Sequence, residues 1–352
     1  MNKPVIRFIR SVWVVLFSAL APGTQAEDGY HLWLRYNRIS DEALLNAYRR
    51  QIQVICAGRP SPTLDAAGKE LQIALSGLLQ KPVPLTQQVR QPGTLVFGTA
   101  ASSQVVASLN LKEELLQAGE EGFVIQSVYY RKKRITVIAA NREQGVLYGV
   151  FHFIRMLQTH QDISNLNFIT SPKIKLRLLN HWDNLDRTVE RGYAGFSIWD
   201  WHKLPDFIDR RYTDYARANA SIGVNGTVLT NVNANAHVLT PQYLQKAAAL
   251  ANVFRPYGIR VYLTARFSAP VEIGGLKTAD PLEPEVQQWW NNKVREIYSL
   301  IPDFGGFLVK ANSEGQPGPQ NYGRTHADGA NMLARALAPF NGVVMWARFC
   351  VQ

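Results

Sequence analysis

The sequence predicts an α/β protein in two parts: a mixed α/β domain, then a parallel sheet of the (β/α)8 barrel kind with about five of its strands countable. Three observations predict it. From Arg38 onward, short apolar runs alternate with segments of helical period. In the second part, short apolar strands and amphipathic helices follow one another, the pattern of a parallel sheet covered by helices. The loops that leave those strands are long and polar, whereas those that enter them are short, as at Pro256-Tyr257-Gly258 and Asn341-Gly342. Polar chemistry gathered at strand C-terminal ends is how such barrels carry function.

Residues 1–26 read as a secretory leader. Lys3, Arg7 and Arg10 precede the apolar run Val12-Trp13-Val14-Val15-Leu16-Phe17, and small residues lead to Ala26 ahead of Glu27. That run is too short to cross a membrane. The expectation is a secreted or periplasmic protein without membrane attachment after cleavage. The leader holds three of the positive charges behind the formal +11 of 38 Lys+Arg against 27 Asp+Glu. The one basic cluster, Arg131-Lys132-Lys133-Arg134, reads as a solvated hairpin turn between strands over 123–129 and 135–139. Nucleic acid is not an expected partner, while an acidic small substrate is compatible with the charge.

Within the first domain, 27–170, helices are expected over 42–57, 62–79, 109–118 and 142–158, with a buried strand over 94–98. The second, 171–352, holds strands over 176–182, 226–231, 260–264, 305–310 and 342–346. Helices over 212–220, 242–254, 287–299 and 326–337 connect them. Cys56 and Cys350 are the only cysteines, which excludes a disulfide framework and a thiolate metal site. No HExxH, Walker A, GxGxxG, GxSxG or CxxC pattern occurs, so neither metal nor cofactor is expected.

The strand ends bring unlike groups to one barrel mouth: Trp182 and Asp183, Asn231 and Asn233, Arg266, Lys310 and Glu314, and Arg348. A tryptophan face, amides, cations and an acid are what a sugar site requires, for ring stacking, hydroxyls, a carboxylate and a glycosidic oxygen. The chain has eight tryptophans, most of them assigned to the core. Glu314 sits in a Gly/Pro-rich loop that suits a general acid, and an exposed loop carboxylate is the equal alternative. Asp183 and Asp186 read as turn and cap residues.

Four segments carry a resemblance: Trp182-Asp183-Asn184-Leu185-Asp186, Arg191-Gly192-Tyr193-Ala194-Gly195, Asn231-Val232-Asn233-Ala234, and Lys310-Ala311-Asn312-Ser313-Glu314-Gly315-Gln316-Pro317-Gly318-Pro319. Together they resemble the α-glucuronidases of glycoside hydrolase family 67, over about 30–345. The resemblance implies an inverting hydrolase that removes (4-O-methyl-)glucuronic acid from xylo-oligosaccharides in glucuronoxylan degradation, with a hexosaminidase-like first domain. It implies Glu314 as general acid with a raised pKa, Lys310 as ligand of the sugar acid, Trp182 as stacking wall and Val232 at the methoxy group. Arg348 stands one residue away from the family's carboxylate-clamping arginine, which turns a strand side chain to the other face. No residue matches the family's base, so a C-terminally truncated chain that is aggregation-prone and inactive is expected. A family homodimer is compatible with the sequence. Two other readings stand beside this one: a non-catalytic carbohydrate-binding remnant, and a hexosaminidase-like glycosidase, which carries an Asp where Ser313 precedes Glu314.

Overall fold

The computed structural model describes residues 27–233 and 235–347. The expected leader and Arg348 lie outside the described residues. Residues 27–35 form a turn-rich segment in which Arg35 pairs with Glu27. The described residues from Tyr36 onward make one compact unit built on two sheets.

The first sheet contains six strands, β1 (Val54–Ala57), β2 (Leu85–Thr86), β3 (Thr94–Gly98), β4 (Phe123–Tyr130), β5 (Lys133–Ala139) and β6 (Asn167–Thr170), in the order β2-β1-β3-β5-β4-β6. Helix α1 (Glu42–Gln51) starts where the Asp41 carboxylate accepts the Leu44 N–H at 3.0 Å. The helix expected over 42–57 stops at Gln51, and its tail becomes β1 (Val54–Ala57), paired in parallel with its neighbours on both sides. Val54, Ile55 and Cys56 are consecutive, apolar and buried, so they fill both faces of a central strand, which one stripe of a helix cannot do. Helix α2 (Pro62–Leu79) begins at a Ser61 cap followed by proline. Strands β2 (Leu85–Thr86) and β3 (Thr94–Gly98) complete the parallel part of this sheet with β5.

The helix expected over 109–118 is two short ones, α3 (Gln104–Ser108) and α4 (Lys112–Ala118), because Leu109 adopts extended backbone between them. Strands β4 (Phe123–Tyr130) and β5 (Lys133–Ala139) form the expected hairpin. Its turn residues Arg131 and Lys132 both have positive φ, the requirement of the tight turn that matches strand twist. Helix α5 (Glu143–Gln158) packs on α2, and β6 (Asn167–Thr170) adds to the β4 edge.

The second sheet is parallel throughout. Its strands are β7 (Leu178–Asn180), β8 (Gly226–Val228), β9 (Arg260–Thr264), β10 (Gly306–Lys310) and β11 (Val343–Ala347), in the order β11-β10-β9-β8-β7. Each strand lies beside its predecessor in the chain, with no reversal of order. That is the succession of a barrel, as opposed to a doubly wound sheet. The connections run through α6 (Arg210–Ser221), α7 (Pro241–Phe254), the short α8 (Ala269–Glu272) with α9 (Pro284–Leu300), and α10 (His326–Leu337).

Alternation sorts the strand residues. Val261, Leu263, Phe307 and Val309 join the helices in one large core, while Tyr262 and Leu308 point to the other face with Val228, Val232 and Trp182. Tyr262 fills that inner face because its neighbours have no side chains. A Cβ on Gly305 would stand 2.1 Å from its ring, and one on Gly226 2.8 Å.

A polar seam joins the two sheets. Arg217 of α6 grips Glu70 of α2 with two hydrogen bonds of 2.8 and 2.9 Å, and the Tyr36 hydroxyl donates to the same carboxylate. Glu70 is only 2% exposed. Further along, Arg177 donates to Glu121 at 2.7 Å, and the Asn225 amide donates to that same carboxylate.

Candidate active site

The C-terminal ends of the second sheet's strands open onto the long loops. Past β7, the chain turns back on itself through short antiparallel bridges, Asp183 with Val189 and Thr188 with Phe196. This loop is held by amides. Asn184 donates to the Thr188 hydroxyl at 2.9 Å and to the Glu190 carbonyl at 2.8 Å, and Asn231 from the β8 end donates to the Asn184 side chain at 3.0 Å. Asp183 is buried and accepts the Ser197 hydroxyl at 2.6 Å. Asp186 accepts both the backbone N–H and the hydroxyl of Thr188, at 2.9 and 2.7 Å, and the hydroxyl and amide together lower its pKa. Both aspartates therefore sit in turn-holding positions, as the sequence reading placed them. Asp183, Asp186, Asn231 and Asn233 line a cleft of about 270 Å³.

Trp182 and Val232 come together on the inner face of the sheet, where Trp182 is half-buried and Val232 is 3% exposed. One residue further, Asn233 reaches Lys310. The Lys310 ammonium donates to Asn233 Oδ1 at 2.9 Å and to Glu314 Oε2 at 2.5 Å, and its side chain is 1% exposed. A buried ammonium is costly unless it is paired and hydrogen-bonded, and here it is both. Glu314 is the opposite: half of its side chain faces solvent.

Glu314 stands in a tight turn closed by the Ser313–Gln316 bridge, and both central residues, Glu314 and Gly315, have positive φ. A non-glycine residue held there marks a position that the surroundings impose. The loop beyond is clamped by amides. Asn312 donates to Asn321 at 3.0 Å, and Gly318 is a required glycine because a Cβ there would meet Asn312 Oδ1 at 2.2 Å.

Electrostatics correct one expectation. The Glu314 carboxyl, expected above the ordinary carboxylate range, is held below it. The Lys310 hydrogen bond and charge do most of this, burial opposes them, and Arg191 adds a smaller lowering from 3.8 Å. Another carboxylate nearby, Glu272, is raised by burial but lowered further by the Ser268 hydroxyl and Arg266, with a net lowering. Arg266, at the end of β9, donates to Glu272 at 2.5 Å and to Gln316 at 2.9 Å, tying α8 to the Glu314 turn. At the end of β11, the Trp346 indole donates to His326 Nδ1 at 3.1 Å.

Of the residues the sequence singled out, the structure brings Lys310 and Glu314 into direct contact and Trp182 and Val232 onto one surface. Asn233, one of the amides read at the mouth, fixes the ammonium, and one contributor was missed: Arg191, which faces Glu314 from the β7 loop. Both lie inside segments of the resemblance, which was the available signal.

Comparison with known proteins follows the same division of the chain. The family model for the glycosyl hydrolase family 67 N-terminus matches residues 32–153, and that for the family 67 middle domain matches 156–352. The probable α-glucuronidase A of Aspergillus terreus is 39% identical over 344 residues, covering 97% of this chain and 40% of the relative. The α-glucuronidase A of Emericella nidulans is 37% identical over 355 residues, covering 96% of this chain and 40% of the relative. The chain thus spans about 40% of the length of these curated relatives.

Among solved structures, a family GH115 4-O-methyl-α-glucuronidase with specificity for decorated arabinogalactans aligns with a TM-score of 0.53 at 15% identity. It covers 82% of this chain and 39% of that one. A GH138 enzyme targeting pectin rhamnogalacturonan II aligns at 0.51 and 17% identity, covering 82% and 42%. Both likenesses are of fold. With its two halves matched in order by the N-terminal and middle-domain models, the chain belongs to glycosyl hydrolase family 67.

Proposed function

We propose that this chain forms the uronic-acid-binding part of a glycoside hydrolase that releases (4-O-methyl-)D-glucuronic acid from substituted xylo-oligosaccharides with inversion. One observation carries the reading: a lysine ammonium, nearly fully buried, is presented at a strand C-terminal end and fixed by Asn233 beside an exposed carboxylic acid. A cation built into such a mouth suits an anionic sugar, and Trp182 and Val232 offer an apolar wall for its ring and methoxy group. In this reading Glu314 is the proton donor to the glycosidic oxygen. The names of the curated relatives support the same activity. The leader-like residues 1–26 support a secreted or periplasmic setting, and the two sheets support domains of 27–170 and 171–352.

The test is binding of methyl α-D-glucuronoside against methyl α-D-glucoside by calorimetry. The uronoside is expected to bind at least about 10-fold more tightly, and Lys310→Met is expected to abolish that preference. Equal binding of the neutral sugar overturns the reading. A second reading, a carbohydrate-binding protein without turnover, is favoured by the commitments of Asp183, Asp186 and Glu272 to neighbouring groups. It is distinguished by uronoside binding with no release of the sugar acid from aldouronic acids.

A further inference from the structure

We propose that the Lys310–Glu314 ion pair is a specificity switch: a sugar carboxylate that takes the Lys310 ammonium displaces Glu314, which then takes one proton from solvent and becomes a proton donor. The proposal rests on the uronoside reading of the site and adds to it a reason why a neutral sugar is rejected.

The two partners of the pair are unequal. Lys310 is buried at the end of β10, with its ammonium on Asn233 Oδ1 at 2.9 Å, so it stays where it is. Glu314 is exposed and is followed by Gly315, around which nothing lies within 4 Å of an added Cβ. Of the two, Glu314 is the group with room to leave. An incoming carboxylate competes for the same ammonium, and two carboxylates sharing one cation repel each other. The less costly relief is to protonate the one that faces water.

The other charged groups around Glu314 do not supply a substitute for Lys310. Arg191 lies farther off, at 3.8 Å, and is itself drawn to Glu190 at 3.5 Å. From the β9 side, Arg266 binds Glu272 and Gln316, and His237 acts on Glu272. Proton accounting is simple. Lys310 remains an ammonium throughout, the sugar remains a carboxylate, and Glu314 changes from carboxylate to carboxylic acid by uptake of one solvent proton. A neutral sugar leaves the pair closed and Glu314 ionised, unable to donate. The depressed pKa of Glu314 in the sugar-free protein agrees with this closed state.

The experiment measures methyl α-D-glucuronoside binding by calorimetry between about pH 4.5 and 7, in buffers of different ionisation enthalpy. Wild-type chain is expected to take up close to one proton per uronoside bound, with affinity falling up to about 10-fold per pH unit as pH rises. Glu314→Gln removes the competing charge while keeping the shape. It is expected to bind the uronoside roughly 100- to 300-fold more tightly at pH 7, without proton uptake. Binding with no proton uptake in wild type, or a Glu314→Gln affinity equal to or weaker than wild type in a variant with native circular dichroism, overturns the switch. Failure of both proteins to prefer uronoside over glucoside refutes the uronoside reading instead, so the two failures are separable.

Discussion

Replacing Arg217 by methionine removes the cation from the seam between the sheets and strands a carboxylate. In the native seam, Glu70 receives Arg217 Nε and Nη2 at 2.8 and 2.9 Å together with the Tyr36 hydroxyl, and Arg217 also donates to Asp214 at 2.9 Å. With 2% of Glu70 exposed, water cannot replace the guanidinium. Burial and the adjacent Glu70 charge already push the Tyr36 hydroxyl far above the usual tyrosine range, so it remains a neutral donor and cannot compensate. Breaking a buried pair from one side costs about 3–5 kcal/mol. The Arg217 side chain is 14% exposed, which places the expected loss near the lower end, at about 3 kcal/mol. That is a large part of the ~5–15 kcal/mol of a typical domain. Removing the cluster with Arg217→Met, Glu70→Leu and Tyr36→Phe leaves no charge at the Glu70 position, while Asp214 keeps Arg210 at 3.5 Å, and should recover most of the loss. The assay is urea unfolding followed by circular dichroism, comparing midpoints at constant slope. A single variant within about 1 kcal/mol of wild type, or a triple variant as unstable as the single one, refutes the reasoning.

Acid should destabilise the chain in a definite window. Asp280 is lowered by Arg324, Asp328 by Thr325 and Asp186 by Thr188, so each stabilises the folded state above its unfolded pKa of about 4 and loses that contribution as pH falls through its lower folded value. The urea midpoint is therefore expected to hold above about pH 5 and to fall below about pH 4; a midpoint unchanged down to about pH 2 contradicts the assignment. Gly305→Ala should cost about 1–3 kcal/mol because its Cβ would stand 2.1 Å from the Tyr262 ring. Combined with Tyr262→Leu, the loss should be less than additive, whereas strict additivity by denaturant titration would place the strain elsewhere.

What the sequence made legible is local. Ser61-Pro62 and Thr325 with Asp328 are helix starts that can be read from residue types alone, and both helices begin there. The five apolar runs of the second half are its five strands. The break between α1 and β1 was hidden because Ile52-Gln53-Val54-Ile55-Cys56 continues an apolar pattern while changing partner, from helix face to central strand. Strands β2 and β6 are short and only partly buried, so they leave no apolar signature. The seam had no signal at all: Glu70 looks like any helix carboxylate, and its partner lies 147 residues away. The Glu314 expectation failed for a related reason. It lies four positions after Lys310, but only the turn with two positive φ angles brings its carboxylate back onto that ammonium.

The strand order of the two sheets bears on how the chain acquires structure during synthesis. In the second sheet each strand needs only its predecessor, so β8 finds a completed β7 when it emerges, β9 finds β8, and the sheet grows from one edge in the direction of translation. Every closure spans one strand–helix–strand unit, and the associated loop entropy rises slowly with length. The first sheet has no such luxury. Its β1 lies between β2 and β3, β3 waits for β5, and the β4 edge stays open until β6 at Asn167–Thr170 has left the ribosome. Nascent chains arrested before Thr170 should thus remain protease-sensitive throughout, and those arrested after successive later strands should gain protection in steps.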